Sequence, residues 1–422
     1  MTVYEKTKQA LERAEKLGGK SATNCVAEID TTALLTAQQL DAAKPEKHHP
    51  IWGTPILVKD NIDVKGLYTT AGSLALKDNI AQQDAPIIQN LRKNGAVIIG
   101  KTNMTEFANY TSWDMPNGYS SRGGQVVHAI DAKLDPSGSS SDSGVAVSAG
   151  IVEAAVGTDT SFSIIACAQA NGVCGIKPPH GVLQSDGIIP IARTLDSAGP
   201  MAKDFTMALN LYSAMRDEPL PSLQPQPVEK MKIAVNTAHP EYNSDENKAF
   251  LDKLITLLKK QGASVSEIVQ EYTDHQNVIM QWEFKPHLEQ YLATSAAQLK
   301  TLEEIVQCYE NNPETMMKYG IRLLKAALDE TPDGLQGEPY LEAMEQREGF
   351  IANLGSQIEG YDAVVMYGYT NIMHLCGLPS VTVASKTKDS NGVPFCAVMY
   401  GTDEYRLYST ALAIEKLCNN EL

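Results

Sequence analysis

From Pro55 to Thr102 the chain reads PILVKDNIDVKGLYTTAGSLALKDNIAQQDAPIIQNLRKNGAVIIGKT. Pro55-Ile-Leu-Val58 is a short apolar run that reads as a buried strand, Ala85 to Asn94 has helical spacing and is stopped by Gly95, and Ala96-Val-Ile-Ile99 is the next strand. Neither strand alternates with polar residues, so both faces are expected to be covered. The segment from Gly138 to Gly150 begins with Ser and Gly and passes into an Ala/Val helix, and Ala154 to Thr158 is a further apolar stretch. This βαβ rhythm, from Ile51 to about Pro200, predicts an α/β fold with a largely parallel sheet between two layers of helices.

Outward from this core, Met1 to Leu17 reads as a charged amphipathic helix without the apolar run of a signal peptide. Four prolines between Glu218 and Val228 mark a surface crossing ahead of the strand Met231 to Val235. Helical patterns then dominate (244–262, 276–295, 301–310, 315–330 and 339–358), with one strand at Ala263 to Ile268. Strands return at Asp362 to Met366, Pro379 to Ala384 and Val393 to Tyr400, and a helix closes the chain at Glu404 to Cys418. The late strands are expected to complete the early sheet.

Composition narrows the function. Lys plus Arg number 35 against 51 Asp plus Glu, a formal charge of −16, which leaves little material for a phosphate-tracking surface and argues against nucleic acid. The least charged window, Thr160 to Ile176, is too short and too polar to span a bilayer. Seven scattered cysteines without CxxC pairs suit reduced thiols and a cytoplasmic location. The eight histidines form no metal-binding array, so no structural metal is expected.

Gly95 to Thr102 satisfies the phosphate-loop pattern GxxxxGK[ST], but its Ala-Val-Ile-Ile interior is a strand and not an open turn of N–H donors. Two hydroxyl-rich loops are more informative: Pro136-Ser-Gly-Ser-Ser-Ser-Asp-Ser-Gly144 and Gly157-Thr-Asp-Thr-Ser-Phe-Ser163. Ser and Gly favour helix and strand ends for backbone reasons alone, yet hydroxyls beside small residues are also the material of a serine nucleophile with an oxyanion hole. No GxSxG elbow and no nearby histidine accompanies them. Lys59, at the end of an apolar strand, is the candidate base, because burial without a countercharge favours the neutral amine. Ser385-Lys-Thr-Lys388 also fits SxxK but reads as a solvated hairpin loop.

Together these segments resemble the amidase signature enzymes, which hydrolyse amides with a Ser-Ser-Lys triad. The resemblance is densest in Gly53 to Ile62, Thr69-Thr-Ala-Gly-Ser73, Gly95 to Met104, Glu106-Phe-Ala108, Gly175-Ile-Lys-Pro178 and Asp196-Ser-Ala-Gly-Pro-Met201. Weaker matches follow in Glu283-Phe-Lys285 and Cys376 to Val383. It implies one large domain over 1–422, with a mixed, mostly parallel sheet. Within that domain lie an N-terminal helical segment (1–50), the signature core (51–215), a variable helical region (229–361) and returning strands with a last helix (362–422).

Position by position, the resemblance implies Lys59 as base, Ser139 as bridging serine after a cis peptide bond, and Ser163 as nucleophile. The N–H groups around Thr160, Ser161 and Phe162 would hold the oxyanion, and Met104 and Ser140 would line the substrate pocket. It implies no cofactor and a small-molecule amide as substrate, and leaves a homodimer open. The chain also departs from the family. Ser161-Phe162 stands where Gly-Gly or Asp-Gly is usual, Asp142 where Gly is common, and Cys167 where Pro is expected. Ile165 replaces a frequent Arg, which leaves Asp159 without that partner, and Met366-Tyr367 replaces a late Pro-Thr. A bulky residue in a glycine-like conformation stores about 1–3 kcal/mol of strain. Phe162→Gly is therefore expected to raise turnover of small amides by restoring an oxyanion donor. Two further readings stand beside the hydrolase: a weakened member that serves as a binding protein, and an amidotransferase-type subunit.

Overall fold

The computed structural model describes residues 1–43 and 47–422. Its strands, in chain order, are β1 (Val26–Ile29), β2 (Pro55–Lys59), β3 (Val97–Thr102), β4 (Tyr119–Ser120), β5 (Gly124–Gln125), β6 (Ala154–Asp159), β7 (Cys174–Lys177), β8 (Ser197–Ala202), β9 (Lys232–Asn236), β10 (Ser264–Ile268), β11 (Ala363–Met366), β12 (Ser380–Lys388) and β13 (Pro394–Tyr400). Eleven of them form one mixed sheet in the order β1-β3-β2-β6-β8-β7-β12-β13-β11-β9-β10, and β4 and β5 make a separate small hairpin. Parallel pairing joins β3-β2-β6 near one edge and β11-β9-β10 at the other. The strands between them pair antiparallel. β12 pairs with β7, so the late strands complete the early sheet within a single α/β domain.

The apolar runs are continuous because both faces of the sheet are buried. Leu57 and Ile99 face one core, packed on Val3–Gly18, Ser141–Ser148 and Ile165–Ala170. Ile56, Val58 and Ile98 face the other, packed on Pro86–Lys93, Phe205–Met215 and Glu404–Asn420. The phosphate-loop pattern proves to be β3, buried along its whole length, and Lys101 Nζ donates to the Ile62 and Tyr68 carbonyls at 2.5 and 3.0 Å.

Two local expectations change. Residues 315–330 form two helices, Pro313–Met316 and Arg322–Asp329, because Gly320 turns the chain with φ +74°. Ser385 to Lys388 belongs to β12 and not to a loop, although Lys388 is exposed as expected. β8, to which the sequence reading assigns no element, is central in the sheet although Gly199 and Pro200 disfavour a strand. No helix among the described residues is long and apolar enough to cross a membrane.

Candidate active site

β2 and β6 run side by side with Val58 level with Val156, which brings Lys59 and Thr158 together at the ends of neighbouring strands. The Lys59 ammonium is fully buried there and donates to Ser139 Oγ at 2.7 Å, Ser140 Oγ at 2.8 Å and Thr158 Oγ1 at 2.8 Å. Ser139 and Ser140 lie just ahead of the helix Ser141–Ser148, and the Gly138–Ser139 peptide bond is cis. Ser163 lies in the loop between β6 and the helix Ile165–Ala170. Its Oγ is 3.1 Å from Ser139 Oγ and accepts the Ser139 N–H at 2.9 Å. Lys59, Ser139 and Ser163 thus form one continuous hydrogen-bonded chain.

Burial lowers the pKa of Lys59 to about 8, against the attraction of Cys167, Asp142, Asp159 and Asp196. A neutral lysine has two N–H donors and one lone pair. The Ser140 hydroxyl already donates to the Thr158 carbonyl at 2.8 Å, so toward Lys59 it acts only as an acceptor. If Ser140 and Thr158 Oγ1 take the two donors, the lone pair faces Ser139, whose hydroxyl alone continues to Ser163. The geometry can pass a proton from Ser163 through Ser139 to Lys59. Ser140 sits in the lysine cage and away from solvent, and Met104 is fully buried in the core.

Asp159 shapes the Ser163 loop. Its carboxylate accepts the N–H groups of Phe162 at 2.9 Å, Ile164 at 2.7 Å and Ile165 at 3.2 Å. The Phe162 N–H is therefore engaged, while those of Thr160, Ser161 and Ser163 have no acceptor among the described residues. Phe162 adopts the glycine-like conformation, with φ +78°. Thr160 Oγ1 donates to Asp196 Oδ1 at 2.5 Å, and burial pushes the Asp196 carboxyl up to about 7. A narrow cleft beside this loop is lined by Asn61, Thr158, Thr160, Ile189, Arg193 and Asp196.

The sequence reading leaves Asp159 without a partner; the structure supplies one from far along the chain. His374, fully buried, lies with Nδ1 3.0 Å from Asp159 Oδ1, not aligned as a hydrogen bond. Burial alone would raise the Asp159 pKa, but His374, the Ile164 N–H and the buried Lys177 together hold it at about 2. No local pattern marks His374, because only the packing of its helical turn, Ile372–Leu375, against the loop gives it a role. Among the described residues no cluster of His, Cys, Asp or Glu is arranged to hold a metal ion.

Comparison with known proteins sets the chain beside amidases. A family model described as Amidase matches residues 5–394. A probable amidase of Arabidopsis thaliana is 29% identical over 93% of this chain and 83% of its own length. One subunit of the glutamyl-tRNA(Gln) amidotransferase of Sulfurisphaera tokodaii is 36% identical over 53% of this chain and 48% of its own. Among solved structures, an amidase family protein from Bacillus anthracis superposes with a TM-score of 0.90 at 30% identity, covering 100% of this chain and 89% of the other. The peptide amidase of Stenotrophomonas maltophilia superposes with a TM-score of 0.89 at 28% identity, covering 99% and 94%.

Proposed function

The chain belongs to the amidase family and is an amide hydrolase, and we propose that it cleaves the C–N bond of a small amide through an acyl-enzyme on Ser163. The observation that carries this reading is the chain Lys59 Nζ, Ser139 Oγ, Ser163 Oγ, with steps of 2.7 and 3.1 Å. Neutral Lys59 takes the Ser139 hydroxyl proton while Ser139 takes that of Ser163, and Ser163 Oγ attacks the carbonyl carbon. The N–H groups of Thr160, Ser161 and Ser163 are the available donors for the oxyanion, since that of Phe162 is held by Asp159. The proton returns through Ser139 to the leaving nitrogen, the C–N bond breaks, and water, deprotonated along the same route, releases the acid.

The substrate is a free small-molecule amide, met in the cleft beside Thr158 and Thr160. The seven free cysteines favour a reducing compartment, and with it the cytoplasm. A fluorophosphonate probe followed by peptide mapping tests the assignment. The adduct is expected on Ser163, with hydrolysis of an amide panel needing neither ATP nor a second protein. An adduct on Ser139 with Ser163 untouched would overturn the mechanism, and turnover only with ATP and a partner would replace hydrolysis by amide transfer.

A further inference from the structure

The narrow cleft beside the Ser163 loop holds a guanidinium with almost no partners. Two residues of its wall belong to the catalytic machinery: Thr158 Oγ1 accepts from Lys59 at 2.8 Å, and Thr160 presents one of the N–H groups open to an oxyanion. Arg193 stands on the same wall. Its side chain is only 26% exposed, yet no described residue accepts a hydrogen bond from the guanidinium, and Nε is buried without a partner. The one charged neighbour among the described residues is Asp186, 75% exposed, with Nη1 to Oδ1 at 3.8 Å. A second polar atom of the wall is also unanswered. Asn61, 2% exposed, donates from Nδ2 to Thr158 Oγ1 at 3.0 Å and to the Ile189 carbonyl at 3.3 Å, while its Oδ1 has no donor.

Stability does not account for Arg193. A pair with an exposed carboxylate contributes about 0–1 kcal/mol, too little to offset the desolvation of a largely buried guanidinium. Packing of the aliphatic stem would be met equally by Met or Leu and leaves the charged head without a purpose. The backbone that carries it is fixed. The Arg193 N–H donates to His287 Nδ1 at 3.3 Å, its carbonyl accepts from His180 Nε2 at 2.7 Å, and the Thr194 N–H donates to Glu283 Oε2 at 3.0 Å. The guanidinium is thus held ready for a ligand at little entropic cost. Asp196, the other ionisable residue of the wall, turns its oxygens to Thr160 Oγ1 and to the Ile191 and Ala192 N–H groups. Most of the remaining wall is apolar, with Ala108, Leu183, Ile188, Ile189 and Ala198, and suits a short aliphatic chain.

We propose that Arg193 is a specificity-determining residue that receives a carboxylate of the amide substrate, so that the preferred substrates are short aliphatic amides bearing one carboxylate. This rests on the reading of Ser163 as nucleophile and adds the substrate class to it. The planar carboxylate matches the guanidinium, which forms two parallel N–H···O bonds to it.

The test compares kcat/KM for each carboxylate with that for the methyl ketone in which CH₃ replaces the charged oxygen. Succinamate, glutaramate and adipamate place the carboxylate on the acyl side at increasing reach, and N-acetyl-β-alanine places it on the amine side. In at least one pair the carboxylate is expected to be favoured about tenfold to a hundredfold, mainly through KM. Arg193→Gln should bring that ratio near unity, and Arg193→Met gives the same readout if the Gln variant does not fold. No carboxylate preference in any pair, or a preference untouched by the substitution, overturns the proposal. If the wild-type protein cleaves none of these amides, calorimetric binding of the same pairs to Ser163→Ala separates the two readings. A carboxylate preference that Arg193→Gln removes would uphold the subsite while the hydrolytic mechanism falls, and no preference would overturn the subsite.

Discussion

His374 and Asp159 meet in the interior behind the Ser163 loop, Nδ1 and Oδ1 3.0 Å apart, with no exposed surface on either side chain. The carboxylate holds three N–H groups of that loop, so whatever steadies Asp159 also steadies Ser163. His374→Ala removes a buried ring and the neighbour of a buried charge, and is expected to destabilise the protein by about 2–4 kcal/mol. It should also lower kcat more than it raises KM, because the loop that carries Ser163 loses its support. Urea unfolding together with steady-state kinetics checks both; a loss of stability with unchanged kcat would leave His374 a purely structural residue.

Lys59 sets the pH dependence. Its pKa is lowered to about 8 by burial, so at neutral pH most molecules carry the protonated, inactive form. As pH rises through about 8 the neutral base accumulates, and kcat/KM should climb along an acid limb centred near that value, with no effect of chelators. Lys59→Ala should reduce amide hydrolysis by about 10²–10⁴-fold and activated-ester hydrolysis far less, because only the amine leaving group needs the returned proton. Equal losses on both substrates would point to a structural role.

Asp142 makes folding stability depend on pH in a specific direction. It is fully buried, Oδ2 accepts from Ser141 Oγ at 2.8 Å, Oδ1 has no partner, and burial raises the carboxyl pKa to about 8. Between the ordinary carboxylate range and about pH 8 the folded chain keeps a proton that the unfolded chain has released, so this group makes stability fall as pH rises through that window. Asp142→Asn should therefore raise Tm more at pH near 8 than at pH near 5. Equal shifts at both pH values would show that the carboxyl does not titrate there.

Phe162→Gly now carries an expectation opposite to the one drawn from sequence. The Phe162 N–H already donates to Asp159 Oδ1 at 2.9 Å, so glycine gains no oxyanion donor, while the ring contacts with Tyr369 and His374 are lost. Relief of strain offsets part of that loss, which leaves a net destabilisation of about 1–3 kcal/mol. Turnover of small aliphatic amides should not rise. A tenfold gain would show that the amide of residue 162 turns toward the substrate once the ring is gone.

The parts of the site legible in sequence are those written locally. Lys59 ends an apolar strand and the two serine loops announce themselves by composition, so the resemblance could be carried residue by residue. The strands β2 and β3 were equally plain, because two-sided burial leaves uninterrupted apolar runs. What escaped depends on distant chain. β7 and β8 carry Gly175, Gly199 and Pro200, residues that disfavour strands, and the sequence reading assigns neither as a strand. His374 and Tyr369 acquire their roles only when the segment after β11 folds back on Phe162.

The cage around Lys59 hangs from the ends of β2 and β6, inside an eleven-stranded sheet, whereas Tyr242 and Tyr272 belong to short surface segments. Amide protons of the first group are expected to exchange with solvent only when the whole domain opens, and those of the second during local fluctuations. Along a series of rising denaturant concentration, the two groups separate. Order around Tyr242 and Tyr272 is expected to be lost first, in a range of denaturant where the protein still turns over amides.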